Sequence, residues 1–326
     1  MEEAFSTKGG AGAAGNAPDT RQKMLVILGP TASGKTKVSL ELARRFPLEI
    51  ICADSRQVYR EMEIGTAKPD AHERLQAPHH LLDVVSPDQS FSVDDFYRLA
   101  KRAAASIGAR GHIPCVVGGT GLYIRALTMG LLDAPSADPL LRARLLRLEE
   151  ENGPGTLYRM TQHVDPEIAR RLFPRDVTRL VRALEVFAQS GRRLSDLQRE
   201  HGFRQQEFRT LKIGIAMPRE ELYRRIDERV DKMLASGLLE EVSGLLARGY
   251  SPDLKAFQAL GYREAVRCLK GEMTLEETRS AMKLATRHYA RRQLTWFGRE
   301  PDVLWVNFSE NPDNLVHKVE NFLITR

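Results

Sequence analysis

A buried strand that breaks into a glycine-rich turn and then into a helix constrains this chain more than any other feature. Met24-Leu25-Val26-Ile27-Leu28 is a continuous apolar run, the pattern of a strand covered on both faces. Gly29-Pro30-Thr31-Ala32-Ser33-Gly34-Lys35-Thr36 follows without a gap and satisfies G-x-x-x-x-G-K-[ST] in the required strand-to-helix context. Such a turn aims several backbone N–H groups at one point, and the helix N-terminus adds partial positive charge. Lys35 supplies a full charge, and the Thr36 hydroxyl suits Mg²⁺. The sequence therefore predicts a cradle for a diphosphate or triphosphate, formed by Gly29, Thr31, Ala32, Ser33, Gly34, Lys35 and Thr36. P-loop hydrolases also hold their metal with an Asp at the end of another strand. The candidate strand Ile113 to Val117 runs instead into Gly118-Gly119-Thr120, so simple nucleotide hydrolysis is not supported and a small-molecule kinase remains open.

Two more buried runs, Leu48 to Ala53 and Ile113 to Val117, are separated by helical patterns, the second with Asp94 and Asp95 in its first turn and an end near Gly111. Strand-helix alternation of this kind predicts a parallel α/β sheet, with residues 21–130 as the P-loop core. From residue 131 the texture changes. Asp138-Pro139, Asp165-Pro166 and Asp176 mark helix starts, so 131–207 reads as a helical insertion. Residues 208–326 complete the core: a strand at Leu211 to Ala216, a long helix opened by Pro218 with Leu222, Ile226, Val230 and Met233 on one face, further helices to about Phe297, and a last strand at Val303 to Val306. The Gly- and Ala-rich residues 1–20 are expected to be a disordered tail.

No apolar run approaches the ~18 residues of a membrane span, and Glu2 and Glu3 head no secretory signal. Cys52, Cys115 and Cys268 are odd in number and far apart, which fits a reducing compartment and implies neither a disulfide framework nor a zinc site. A cytoplasmic location is expected. The formal charge of +6 is compatible with a nucleic-acid partner without requiring one, so the placement of the basic residues decides.

In an open parallel sheet, ligands bind beyond the carboxyl ends of the strands. Ala53-Asp54-Ser55-Arg56-Gln57 follows the second strand, so Asp54 should face the cradle, where it can ligate Mg²⁺, take a proton or cap the next segment. The Gln57 amide can address an adenine edge or stand in solvent. Arg279, Lys283, Arg287 and Arg291 line one side of a helix, with Arg292 and Arg299 following, and only Glu300 opposes them between 279 and 300. Arg175, Arg179 and Arg182 precede Arg192 and Arg193 in a second basic set. Each set is an RNA surface or a solvated face. Trp296 reads as core rather than as a stacking platform.

GPTASGKT at 29–36, ADSRQVY at 53–59, IGTAKP at 64–69, VVGGTGLYIRAL at 116–127, DVTRLVRALEV at 176–186, QALGYREA at 258–265 and TRHYARRQLTWF at 286–297 together resemble the tRNA dimethylallyltransferases, also called tRNA isopentenyltransferases. Arg56 and Arg291 depart from the residues most often found at those places, and no Cys₂His₂ finger is present, which points to the bacterial type. The resemblance implies transfer of a dimethylallyl group from dimethylallyl diphosphate to N6 of adenine 37 in a tRNA anticodon stem-loop, with Mg²⁺, by a monomer. It further implies Asp54 as general base, Thr120 near the reacting centre and Arg225 on the diphosphate, with Arg224 and Arg229 as rival candidates for that contact. For tRNA it implies Asp54, Ser55, Arg56, Gln57, Arg179, Arg182, Gly261, Tyr262, Arg263, Arg287, Arg291, Arg292 and Gln293. The same chemistry on a free adenine nucleotide, and a non-catalytic RNA-binding protein with a nucleotide switch, are the other readings. The two basic sets weigh against the former.

Overall fold

The computed structural model describes residues 19–202, 206–307 and 312–325; the tail expected at 1–20 lies, apart from Asp19 and Thr20, outside the described residues. Strand β1 (Gln22–Leu28) leads through the glycine-rich turn into α1 (Lys35–Ala43), then β2 (Leu48–Ala53), α2 (Ala71–Gln76), β3 (His79–His80), α3 (Val93–Ala109), β4 (Ile113–Gly118) and α4 (Gly121–Met129). Helices α5 (Pro139–Glu151), α6 (Thr156–Val164), α7 (Pro166–Arg171), α8 (Val177–Ser190) and α9 (Leu194–His201) follow as a block. The chain then returns to the sheet with β5 (Phe208–Ile215), α10 (Arg219–Ala235), α11 (Leu238–Ala247), a 3₁₀ turn (Lys255–Gln258), α12 (Tyr262–Leu269), α13 (Leu275–Phe297), β6 (Val303–Val306) and α14 (Pro312–Ile324).

All strand pairs are parallel, in the order β3-β2-β4-β1-β5-β6, which places β1 inside the sheet and its following turn at the centre of the carboxyl edge. The strand alternation explains the continuous apolar run. Met24, Val26 and Leu28 face the large cluster built with α3, α4, α11 and α12, whereas Leu25 and Ile27 face Val38 and Leu42 of α1 and Leu315 and Val319 of α14. Both faces are dry, so both residue sets must be apolar.

Local chemistry sets the helix starts. Ser92 and Asp95 form a reciprocal capping box at the start of α3. Asp138, Asp165 and Asp176 accept N–H groups at the starts of α5, α7 and α8, as their sequence positions predict. The short α2 and β3 and the 13-residue α14 escape the sequence reading, and β5 begins three residues earlier than expected. The block α5–α9 encloses apolar clusters of its own, around Leu157, Leu180 and Leu184 and around Ile168, Ala183 and Val186. No helix of the described residues is long and apolar enough to cross a membrane.

Candidate active site

The turn after β1 takes φ values of +150° at Gly29, +63° at Ala32 and +90° at Gly34, and it holds its shape against Ile215, whose carbonyl oxygen would stand 3.3 Å from a Cβ at Gly29. Gly34 gives α1 no side-chain cap, which leaves the first-turn N–H groups for a ligand. Lys35 Nζ donates to the carbonyls of Gly29 (3.1 Å) and Pro30 (2.7 Å). Burial, and then repulsion from Arg229, pull the Lys35 amine down to about 7, while the Asp54 carboxylate pulls the other way. Its charge is thus poorly compensated by the protein itself.

Two chambers of about 450 Å³ each open around this turn. The first is lined by Thr31, Ala32, Gly34, Lys35 and Thr36, with Arg225, Arg229 and Lys232 from α10 opposite. The second is lined by Ser55, Arg56, Gly261, Arg263 and Arg292. Thr31, Asp54, Arg229 and Tyr289 line both and form the throat between them. Asp54 Oδ1 accepts the N–H of Arg56 at 2.8 Å and of Gln57 at 3.4 Å, so the carboxylate caps its own loop and also faces both chambers. Behind it, Thr120 Oγ1 accepts the Ser55 N–H at 3.1 Å, and the Thr120 N–H donates to the Ala53 carbonyl. Thr120 therefore steadies the Asp54 loop and does not line either chamber.

The three rival arginines of α10 separate by geometry. Arg224 pairs with Glu221 and Glu228 and lines neither chamber. Arg225, although paired to Glu221 at 2.6 Å, lines the first chamber. Arg229 reaches the throat, where burial holds its guanidinium below the usual range and Asp54 acts in the opposite sense. Arg229 and Tyr289 therefore join the candidate set, with Lys232 beside them. Nothing local in the sequence marks Tyr289, although Met282, Ala285, Thr286, Tyr289 and Gln293 recur at helical spacing on the face of α13 that meets the chambers.

Several expected contacts stand elsewhere. Tyr262 is fully buried in the core against Gly65, where a Cβ would lie 2.4 Å from its ring, and its hydroxyl donates to Glu241; its side chain is corrected from an RNA contact to a core residue. Gln293 is buried, with both ends of its amide used inside the protein. Gln57 lines the first chamber, yet its amide N–H groups go to the carbonyls of Thr66 (3.2 Å) and Ala67 (3.1 Å), so those donors are not free for an adenine. Arg182 shares the buried carboxylate of Glu185 with Arg142, a structural role inside the α5–α9 block. Arg179 is exposed there, paired with Asp176.

The basic stripe on α13 also divides. Arg279 and Lys283 pair with Asp231 of α10, and Arg287 with Asp227, so acids from a neighbouring helix, invisible to spacing along α13, neutralise that stretch. Arg291, Arg292 and Arg299 carry no ion pair among the described residues and gather with Arg125 and Trp296 in a groove that continues from the second chamber through Arg292. Trp296 is half-buried: it packs over Gly121 beneath Arg125 at the edge of the large apolar cluster and also lines that groove. Gly29 and Ser33 shape the cradle without lining its chamber, and the Ser33 hydroxyl is buried without a partner.

The donor set fits Mg²⁺ carried mainly by a ligand. Among the described residues no three His, Cys, Asp or Glu side chains converge as a metal cage, whereas Thr36 and Asp54 present single oxygens to the first chamber. Mg²⁺ is commonly held by one or two protein oxygens together with substrate phosphates and water.

Residues 57–300 match the family model described as IPP transferase, and residues 22–83 match that of isopentenyl transferase. A tRNA dimethylallyltransferase of Syntrophotalea carbinolica is 47% identical over 94% of this chain and 97% of its own. Among solved structures, the tRNA isopentenylpyrophosphate transferase of Bacillus halodurans is 38% identical with a TM-score of 0.69, covering 93% of this chain and 96% of its own. A eukaryotic dimethylallyltransferase described as acting on tRNA is 30% identical with a TM-score of 0.82, over 94% of this chain and 80% of its own.

Proposed function

The chain belongs to the IPP transferase family, and from that premise we propose that it joins a dimethylallyl group to N6 of an adenine, position 37 of a tRNA anticodon loop, at the throat between its two chambers. It is a tRNA-modifying prenyl transferase. The diphosphate of dimethylallyl diphosphate occupies the first chamber, against the N–H groups of α1, Lys35 and Arg225, with the allylic carbon directed to the throat. An extruded adenine enters through the second chamber, whose rim carries Arg56, Arg263 and Arg292.

An exocyclic adenine amine is a weak nucleophile because its lone pair is delocalised into the ring. As N6 bonds to the allylic carbon, the C–O bond to diphosphate breaks and the N6 proton must leave. Asp54 is placed to take it. Lys35, Arg225 and Arg229 stabilise the charge gathering on the departing diphosphate. Mg²⁺ would be held by Thr36 together with the diphosphate oxygens and would supply further neutralisation of that charge.

The observation that carries this reading is a single carboxylate, Asp54, exposed both to the cationic first chamber and to a second one lined by Arg56, Arg263 and Arg292. A free nucleotide acceptor, or a small-molecule kinase, leaves the unpaired Arg291, Arg292 and Arg299 without a purpose. The test is to incubate the protein with dimethylallyl diphosphate, Mg²⁺ and an anticodon stem-loop bearing an unpaired adenine, then to digest the RNA and weigh its nucleosides. An adenosine heavier by one C₅H₈ unit is expected. Product formed on AMP but not on RNA would overturn the acceptor assignment.

A further inference from the structure

Helix α13 sends one buried side chain across the sheet edge to the two loops that must be held in register for the transfer. Gln293 Oε1 accepts the backbone N–H of Thr31 at 2.8 Å, and its Nε2 donates to the carbonyl of Gly119 at 2.9 Å. Gln293 is almost entirely buried, and both ends of its amide are hydrogen-bonded within the protein at the wall of the first chamber. Thr31 belongs to the phosphate turn and to the throat. Gly119 is followed by Thr120, whose hydroxyl holds Ser55 and whose N–H holds Ala53, the two residues flanking Asp54. A continuous line of hydrogen bonds thus runs from the donor cradle through Gln293 to the loop of the proposed base.

From this juxtaposition we propose that Gln293 is a positioning residue that sets the distance between the phosphate turn and Asp54, rather than a contact to RNA. The proposal rests on the transfer reaction assigned above. The fit is close on both sides of the strut. A Cβ at Gly119 would stand 2.2 Å from Gln293 Nε2, and a Cβ at Gly118 would stand 2.1 Å from the Ala53 carbonyl oxygen, so the Gly118-Gly119 pair is what lets β4 approach both the strut and β2. Taking the Thr31 N–H out of the nest also fixes which N–H groups remain for the diphosphate. Catalysis is sensitive to this register, since a misplacement near 1 Å costs on the order of a hundredfold in rate.

Gln293→Met keeps the length and removes both hydrogen bonds. With donor and stem-loop RNA saturating, its single-turnover rate falls tenfold to a hundredfold, its affinity for inorganic diphosphate falls several-fold, and its affinity for RNA stays within twofold of the parent. Gly119→Ala pushes the same amide from the opposite side with Gln293 intact. It reproduces the rate defect, and the double variant is no worse than the more impaired single one. Circular dichroism melting of each variant separates this from a loss of fold: a variant that melts early but keeps its rate per folded molecule contradicts the proposal. So does a more than tenfold loss of RNA affinity with rate and diphosphate affinity preserved, which returns Gln293 to the RNA surface. Failure of the parent protein to prenylate the RNA overturns the assigned reaction instead. The diphosphate titrations of Gln293→Met and Gly119→Ala still report on the strut in that case.

Discussion

The two ends of β2 treat charge in opposite ways. Near its amino end, the buried carboxylate of Glu49 is met by Arg110 at 3.0 and 2.7 Å, by His80 at 2.7 Å and by His112 at 2.9 Å. The Arg110 guanidinium, seconded by the two imidazoles, holds it down at about 2 against the upward pull of burial. At its carboxyl end, Lys35, Arg225, Arg229 and Lys232 crowd one chamber faced by Asp54 and Glu228. The Lys35 amine is brought down toward neutrality, mainly by burial. A completed network contributes stability, whereas an uncompensated one stores a preference for an incoming polyanion. The difference locates the working edge of the sheet without reference to any motif.

Removing the centre of the incomplete network should have the largest effect. Lys35→Ala is expected to lower turnover by about 10³-fold and to raise the donor requirement, with stem-loop RNA binding unchanged. Diphosphate binding by the intact protein should also take up protons at pH 8, because the bound anion raises an amine that sits near 7 without it. Affinity should then decline as pH rises from 7 to 9. Calorimetry in buffers of different ionisation enthalpy reads the uptake, and uptake that persists in Lys35→Met would place the proton on another group.

Breaking the completed network should move stability and leave chemistry alone. Glu49→Gln is expected to cost about 2 kcal/mol in urea unfolding, since Arg110 and the two imidazoles lose their charged partner. Because folding lowers the Glu49 pKa from 4.5 to about 2, the stability it supplies is present above the ordinary carboxylate range and lost as pH falls through about 2. The single-turnover rate should stay at the parent value, and a rate loss of tenfold or more would dissolve the distinction between the two ends.

The α13 stripe sharpens the same contrast on a smaller scale. Arg291→Ala with Arg292→Ala should flatten the slope of log RNA affinity against log salt by about 0.7 to 0.9 per lost phosphate contact. Arg287→Ala should change it less, because Arg287 is already spent on Asp227. Equal changes from the two would mean that these pairs open to meet RNA.

Legibility in the sequence follows the range of the interactions. The P-loop, the flanking strands and the Asp caps of α5, α7 and α8 are local patterns and stand where the sequence puts them. The position of Asp54 at the cradle follows from the parallel strand order. What engages Arg287, Tyr262 and Gln293, namely Asp227, Glu241 and the turns at Thr31 and Gly119, lies far away in sequence and comes near only on folding, so spacing along the chain does not show it. The two-residue strand β3 has too few residues to show a period.

The most direct test of the whole reading is the single-turnover rate of Asp54→Asn with saturating donor and stem-loop RNA, measured beside both affinities. The amide keeps the shape and the acceptor oxygen that caps the Arg56 N–H but cannot take a proton. A fall of roughly 10² to 10⁴ in rate with both substrates still bound is the predicted result. A near-parental rate would contradict Asp54 as the base, and a loss of donor affinity partly recovered by added Mg²⁺ would make it a metal ligand instead.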